Sequence, residues 1–210
     1  MMDNYLRQTW QQLASRYTAD QALITRLWEE LEKAYSGKSR HYHNLRHVEA
    51  MLRLAEEYQT TPGAPDLVKF AIFYHDAVYR STRSDNEEKS AQLACSRLQE
   101  LGISLAEANT AVKMILATKT HASDGNSDVS YLLDFDLAIL GAPWNAYLQY
   151  SRQIRKEYSL YPDFLYNSGR QKVLRHFLEK ESIFQTAFFK AKLEGQARQN
   201  LEKELELLRP

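Results

Sequence analysis

Residues 70–79 read FAIFYHDAVY. Ala71, Ile72, Phe73, Tyr74, Ala77 and Val78 surround two polar residues, His75 and Asp76. A helix that is apolar on every side is a buried helix. Asp66 is a good N-cap and follows Pro65, so the spacing predicts a helix over 66–79. Burying an ionised Asp is costly unless the charge is paired or coordinates a metal. The rest of the chain must therefore supply what His75 and Asp76 need.

Outward from that stretch, the 210 residues are 44% hydrophobic and 26% charged, which is enough apolar mass for one sizeable core in preference to two. Gly 7 and Pro 5 are few, and they fall between segments of 3.6-residue periodicity. The pattern predicts an all-α, single-domain helical bundle over 1–210, with a core of about 40–140 and helical extensions at both ends. Helices are expected at 4–17, 19–35, 44–58, 66–79, 85–101, 105–119, 128–140, 144–158, 163–179 and 182–208, the last breaking near Gly195. The loops TTPGAP (60–65) and HASDGNS (121–127) are too short to separate domains.

Lys+Arg 27 cancels Asp+Glu 27, and no block of like charge stands out, so nothing favours a nucleic-acid polymer or an anionic membrane as partner. No apolar run approaches the ~20 residues of a membrane span. The N-terminal MMDNYLRQTW has no apolar h-region, and a lone Cys95 fits a reducing compartment. A cytoplasmic protein is expected.

Three segments carry chemistry. In RHYHNLRHVEAMLRLAEEY (40–58), His47 shares a helical stripe with Met51 and Leu54 and faces the core, and His43 lies at the helix entrance. In the second segment His75 and Asp76 point about 100° apart and can reach one ion between them. In DVSYLLDFDLAIL (128–140), Asp136 keeps helical spacing with Leu132, Leu133, Ile139 and Leu140. Asp134 has a more mixed environment that suits a capping or supporting role. A core histidine or a salt-bridged Asp would explain each residue alone. Together they place four uncompensated polar groups on inner faces, and one divalent ion satisfies all of them with two imidazoles (His47, His75) and two carboxylates (Asp76, Asp136). That mixed N/O set suits Mn²⁺, Fe²⁺, Co²⁺, Ni²⁺ or Zn²⁺ better than Mg²⁺.

The order His47, then His75–Asp76, then Asp136 resembles the H…HD…D signature of the HD-domain metal-dependent phosphohydrolases. RHYHNLRHV, FYHDAVY, DNEEKSA, ATKTH, LDFDLAILG, IRKEY and YNSGR…VLRHFL extend the resemblance, to a bacterial branch described only as predicted phosphohydrolases. It implies an all-α fold, a divalent metal on those four residues, and hydrolysis of a phosphoester of a small molecule, a nucleotide in the favoured case, by metal-activated water. YHNLRH (42–47) also resembles the YHNxxH segment of cyclic-nucleotide phosphodiesterases, which implies His43 as general acid. The alternatives are an HD-type di-iron oxygenase and a non-catalytic nucleotide-sensing or interaction module.

Around this set, Glu87 aligns with Ala91, Ala94, Leu98 and Leu101 and points inward in a first helical turn. It is a candidate base or water-orienting group, or a helix-dipole glutamate. Lys119, His121, Arg155 and Arg170 are candidates for holding the substrate phosphate, with Tyr158, Tyr161 and Tyr166 offering rings for a base or sugar to stack on. The final charged, amphipathic helix packs on the core and could form a homodimer contact.

Overall fold

A computed structural model describes residues 2–58 and 63–208, so residues 60–62 of the TTPGAP loop lie outside the described residues. The described chain is all-α, without a strand among the described residues. Its helices are α1 (Met2–Ala14), α2 (Gln21–Tyr35), α3 (Leu45–Glu57), α4 (Pro65–Tyr74), α5 (Asn86–Glu100), α6 (Leu105–Ala117), α7 (Ser127–Leu137), α8 (Trp144–Glu157), α9 (Asp163–Glu179) and α10 (Ala187–Leu207). A 3₁₀ turn, Ala138–Gly141, follows α7.

The apolar stretch forms the centre. α4 packs against α3, α5, α6 and α7, and every residue from Phe70 to Tyr74 is buried. Trp10 of α1 meets Phe70, Phe73 and Tyr74 edge-on, with ring centroids 5.8, 5.2 and 6.1 Å apart. Aromatic pairs prefer this geometry because the positive ring edge meets the negative face. One apolar cluster runs from Leu6 to Leu201, so the helices outside 40–140 share the same core.

Helix starts mostly follow local chemistry. Asp20 and Asn44 cap α2 and α3 by accepting from the Leu23 and Arg46 amides at 2.9 Å. Asp85 holds the α5 cap position but spends its carboxylate on Arg83, and Asn86 holds the Arg80 backbone instead.

The expected boundaries differ most at α4 and α10, and α1 and α7 each end three residues early, at Ala14 and Leu137. α4 begins at Pro65 rather than Asp66, and Asp66 pairs with Arg16 at 2.7 Å. α4 ends at Tyr74, so His75 and Asp76 sit on the turn beyond its C-terminus rather than mid-helix. One carbonyl of its last turn and two of the turn beyond are taken by side chains from distant parts of the chain. The Tyr35 hydroxyl donates to the Phe73 carbonyl at 3.0 Å, and Arg40 donates to the carbonyls of Asp76 (2.7 Å) and Ala77 (3.0 Å). Helix-end carbonyls need such donors when water is excluded.

α10 starts at Ala187 rather than at 182, and it runs unbroken through Gly195. The preceding segment is extended because Asp134 accepts from the Gln185 amide (2.6 Å), the Thr186 amide (2.8 Å) and the Thr186 hydroxyl (2.7 Å). α10 then crosses the 3₁₀ turn at close range, where a Cβ on Gly141 would lie 2.6 Å from Leu193 Cβ. Asn200 fixes the crossing by donating to the carbonyls of Leu140 (2.7 Å) and Ala142 (2.8 Å).

Gly141→Ala should therefore destabilise the protein by about 1–3 kcal/mol through overpacking. Gly195→Ala, where nothing lies within 4 Å of the added Cβ, should stabilise it by about 0.5–1 kcal/mol through helix propensity. Urea denaturation of both variants checks the pair, and equal effects would contradict the close approach.

Candidate metal centre

The turn after α4 brings His75 against α3 and α7. His75 Nδ1 donates to the Ile72 carbonyl at 2.8 Å, which leaves Nε2 facing outward from the turn. His47 Nε2, from the first turn of α3, lies 3.2 Å from it. Asp136 Oδ1, from α7, is 3.1 Å from His47 Nε2 and 3.9 Å from His75 Nε2. Asp76 joins at the edge, with Oδ2 3.1 Å from His75 Nε2 and 4.0 Å from His43 Nε2.

His47, His75 and Asp136 could hold a metal ion, since one ligand atom of each lies within 4.8 Å of the other two. Two atoms about 2.1 Å from one ion are about 3.0 Å apart at a right angle and about 3.4 Å apart in a tetrahedron. The spacings of 3.1 and 3.2 Å fall in that interval, and the 3.9 Å between His75 and Asp136 corresponds to a wider angle at the ion. The backbone bond of His75 is the kind of supporting contact that fixes a ligand imidazole.

Burial disfavours charge on every member of the cluster, and the neighbours decide the outcome. His47 is pushed down from its ordinary value, because burial outweighs Asp136. His75 is buried as well, yet Asp76 beside it lifts it to about 9. Asp76 is held well below the ordinary carboxylate range against burial, chiefly by His75 and His43. Asp136 is likewise held low against burial, by hydrogen bonds from His121 and His47.

A second layer surrounds the cluster. His121 Nε2 lies 3.3 Å from Asp136 Oδ2. Its backbone has φ 48°, in the left-handed region, which costs of order 1–3 kcal/mol and tends to occur at functional positions. The strained backbone is braced by the His121 amide on the Ala117 carbonyl and by Lys180 on the His121 carbonyl, both at 2.9 Å.

His43 is held by a residue that the sequence reading overlooked. Glu157 of α8 accepts from the amides of His41 (2.8 Å), Tyr42 (2.8 Å) and His43 (3.0 Å) with one oxygen. With the other it meets His43 Nδ1 (2.6 Å) and the Tyr79 hydroxyl (3.1 Å). His43 Nε2 is thereby turned toward Asp76. Burial lowers the His43 pKa, but Asp76 and Glu157 together raise it above its ordinary value. A signal for Glu157 lay in its spacing, seven residues after Tyr150 and three after Ile154 on the inner face of α8. Arg40 was equally overlooked, although it lies inside the quoted segment.

A cavity of about 480 Å³ opens over the cluster, lined by His43, His75, Asp76, Glu87, His121 and Asp136 on one side. Arg170 reaches its wall but is spent on Glu204, at 2.9 Å through both Nε and an Nη, while stacked over Tyr150. Lys119 and Arg155 are not among the lining residues. Lys119 is exposed and engages Glu88 and the Ser84 carbonyl. Arg155 binds Asp163 (2.7 Å) and the carbonyls of Tyr158 and Tyr161. A smaller cleft of about 280 Å³ borders the far side of His47 and Asp136 and carries Arg46. Tyr42 and Tyr150, edge-on at 4.6 Å, form the wall shared by both.

Comparison with known proteins gave no match, whether with protein-family models, curated proteins or solved structures. No helix among the described residues is long and apolar enough to cross a membrane.

Asp136→Ala should abolish retention of a divalent metal, measured by elemental analysis of folded protein. Asp134→Ala should keep more of the metal yet lose about 1–3 kcal/mol, because it strands buried donors at the start of α10. Equal metal loss in both would contradict the assignment of Asp136 to the cluster.

The sign of the pH dependence follows from His75. Its folded pKa, about 9, lies above the ordinary 6.5, so its contribution to stability is complete below 6.5 and is lost as pH rises through 9. His43 is shifted in the same direction. In EDTA, stability by urea denaturation should fall between pH 6.5 and 9, and a flat profile would contradict the coupling.

Proposed function

We propose that the protein is a metal-dependent phosphohydrolase that cleaves a phosphoester of a small molecule, a nucleotide in the favoured case. The ion is assigned to His47, His75, Asp76 and Asp136. One observation carries the reading: the buried imidazoles of His47 on α3 and His75 on the turn after α4 meet Nε2 to Nε2 at 3.2 Å beside two carboxylates, and His75 and both carboxylates line an open cavity. The H…HD…D order resembles the HD-domain phosphohydrolases and points the same way. The mixed N/O donors suit Mn²⁺, Fe²⁺, Co²⁺, Ni²⁺ or Zn²⁺ better than Mg²⁺.

A divalent ion bound there supplies Lewis acidity to water and to phosphoryl oxygens. The chain supplies the rest. Glu157, itself steadied by the Tyr79 hydroxyl, holds His43 through Nδ1 with its Nε2 free, and the raised pKa favours the protonated form. His43 is thus placed to protonate the leaving oxygen. Glu87, in the first turn of α5, faces the same cavity and is placed to orient the attacking water. His121 keeps Asp136 aligned.

The test is a screen of purified protein, stripped and reloaded with Mn²⁺, Co²⁺, Ni²⁺ or Mg²⁺, against nucleotides, cyclic nucleotides and sugar phosphates. Metal-dependent turnover of at least one ester is expected. Metal and nucleotide binding without turnover would instead identify a sensing module.

His43→Ala should slow alkyl phosphoesters by about 10²–10⁴-fold. It should slow 4-nitrophenyl phosphate far less, because that leaving group departs without a proton. Glu87→Gln should keep the metal and lose most turnover. Equal losses on both ester types would remove the acid role from His43, and full activity of Glu87→Gln would reduce that residue to a helix-dipole charge.

A further inference from the structure

The cavity has two unlike halves. The half around the metal centre carries the three carboxylates Asp76, Glu87 and Asp136. The other half is walled by the rings of Tyr150, Tyr158, Tyr161 and Tyr166, while Tyr79 and Phe177 adjoin His43 and His121 at the border between the two. Leu165 and Val173 continue this apolar wall to the mouth, where they are 51% and 46% exposed. A phosphate ion alone needs no such wall, and 480 Å³ lies within the ordinary range, roughly 300–1,000 Å³, for small-molecule sites.

The charges limit what can enter. Arg170 is the one Lys or Arg among the described lining residues, and Glu204 neutralises it with two bonds at 2.9 Å. Lys119 is tied to Glu88, and Arg155, behind the lining tyrosines, is spent on Asp163 and the carbonyls of Tyr158 and Tyr161. Lys180 sits on the Thr120 and His121 carbonyls, and Arg46 faces the smaller cleft behind the Tyr42–Tyr150 wall. Sites that hold phosphoryl chains supply an Arg or Lys clamp besides the metal. Asp76 and Asp136 are answered by the ion itself, Glu87 adds a negative charge, and no free Lys or Arg among the described lining residues is left to clamp further anionic groups.

We infer that the substrate is a monophosphate ester carrying a flat, ring-bearing organic group, such as a nucleoside monophosphate, and that nucleoside di- and triphosphates are rejected. This inference rests on the phosphohydrolase reading above and names its substrate class. The single phosphate sits at the metal centre, and the ring lies among the tyrosines, where stacking is worth roughly 1–3 kcal/mol per base in other proteins. Val173 and Leu165, at the mouth, determine how large a ring system fits.

The test uses the full chain loaded with Mn²⁺. The kcat/KM for adenosine 5′-monophosphate should exceed that for ADP, for ATP and for glycerol 3-phosphate by at least tenfold. Val173→Trp, which fills the mouth, should raise KM for the monophosphate at least tenfold with metal content unchanged, and Leu165→Trp serves if the first variant does not fold. ATP or glycerol 3-phosphate used as efficiently as the monophosphate overturns the inference. If no ester turns over, the hydrolase reading fails, and equilibrium dialysis then decides the inference separately. Tenfold tighter binding of the monophosphate than of ATP and glycerol 3-phosphate supports it, and equal or tighter binding of either competitor overturns it.

Discussion

The constraint on which the molecule depends is the burial of ionisable groups at the end of its most apolar helix. α4 carries His75 to a position 2% exposed, with Asp76 directly after it. Leaving such groups without partners would cost several kcal/mol, roughly, out of a stability of that same order. The surrounding chain is arranged to prevent this. Tyr35 and Arg40 occupy the open backbone groups of the turn, and α3 and α7 bring His47 and Asp136 to the imidazole. The sharp end of α4 and the centre are therefore one feature. The helix must stop where it does for His75 and Asp76 to face α3 and α7 together.

The helical fold was legible because its signal is local and repeated. Periodicity recurs along the chain, and Asp20, Asn44 and Ser104 cap their helices, although Asp66, the cap that the sequence predicts, pairs with Arg16 instead. What sequence reading missed is set by distant partners. Nothing near Tyr74 resembles a stop signal, because the groups that end α4 come from Tyr35 and Arg40. Gly195 looks like a break, yet it lies in an uncrowded stretch of α10. The start of α10 is delayed by Asp134, some fifty residues earlier in the chain.

The centre itself was legible for a different reason. Polar residues at core spacing are rare enough that His47, His75, Asp76 and Asp136 stand out individually, and their chemistry suggests a common partner. The layer around them was not. Attention to cations singled out Lys119, Arg155 and Arg170, and all three are committed to carboxylates. A positive side chain in a balanced sequence usually has such a partner, and one chain cannot reveal which. Glu157 escaped notice because an acidic residue between Lys156 and Tyr158 reads as solvated helix charge, although it carries five bonds at the heart of the site.

The other buried carboxylates of the molecule set this centre apart. Asp128 is answered by two backbone amides, and Asp134 by two amides and a hydroxyl. Glu204 has a guanidinium and the hydroxyls of Tyr147 and Ser151. Glu157 has three amides and a hydroxyl besides its imidazole. Each of these partner sets includes donors that keep their protons at any ordinary pH, so those four anions are stable without further help. Asp76 and Asp136 face only imidazoles with their side chains, and an imidazole can give up its proton. Where the metal is absent, the proton that His75, lifted to about 9 by Asp76, retains stands in for part of the missing positive charge. A divalent ion held there would replace that proton, free both imidazoles to act as neutral ligands, and answer both carboxylates at once. Proton and metal then compete for one position, so metal affinity must rise with pH until His75 has lost its proton.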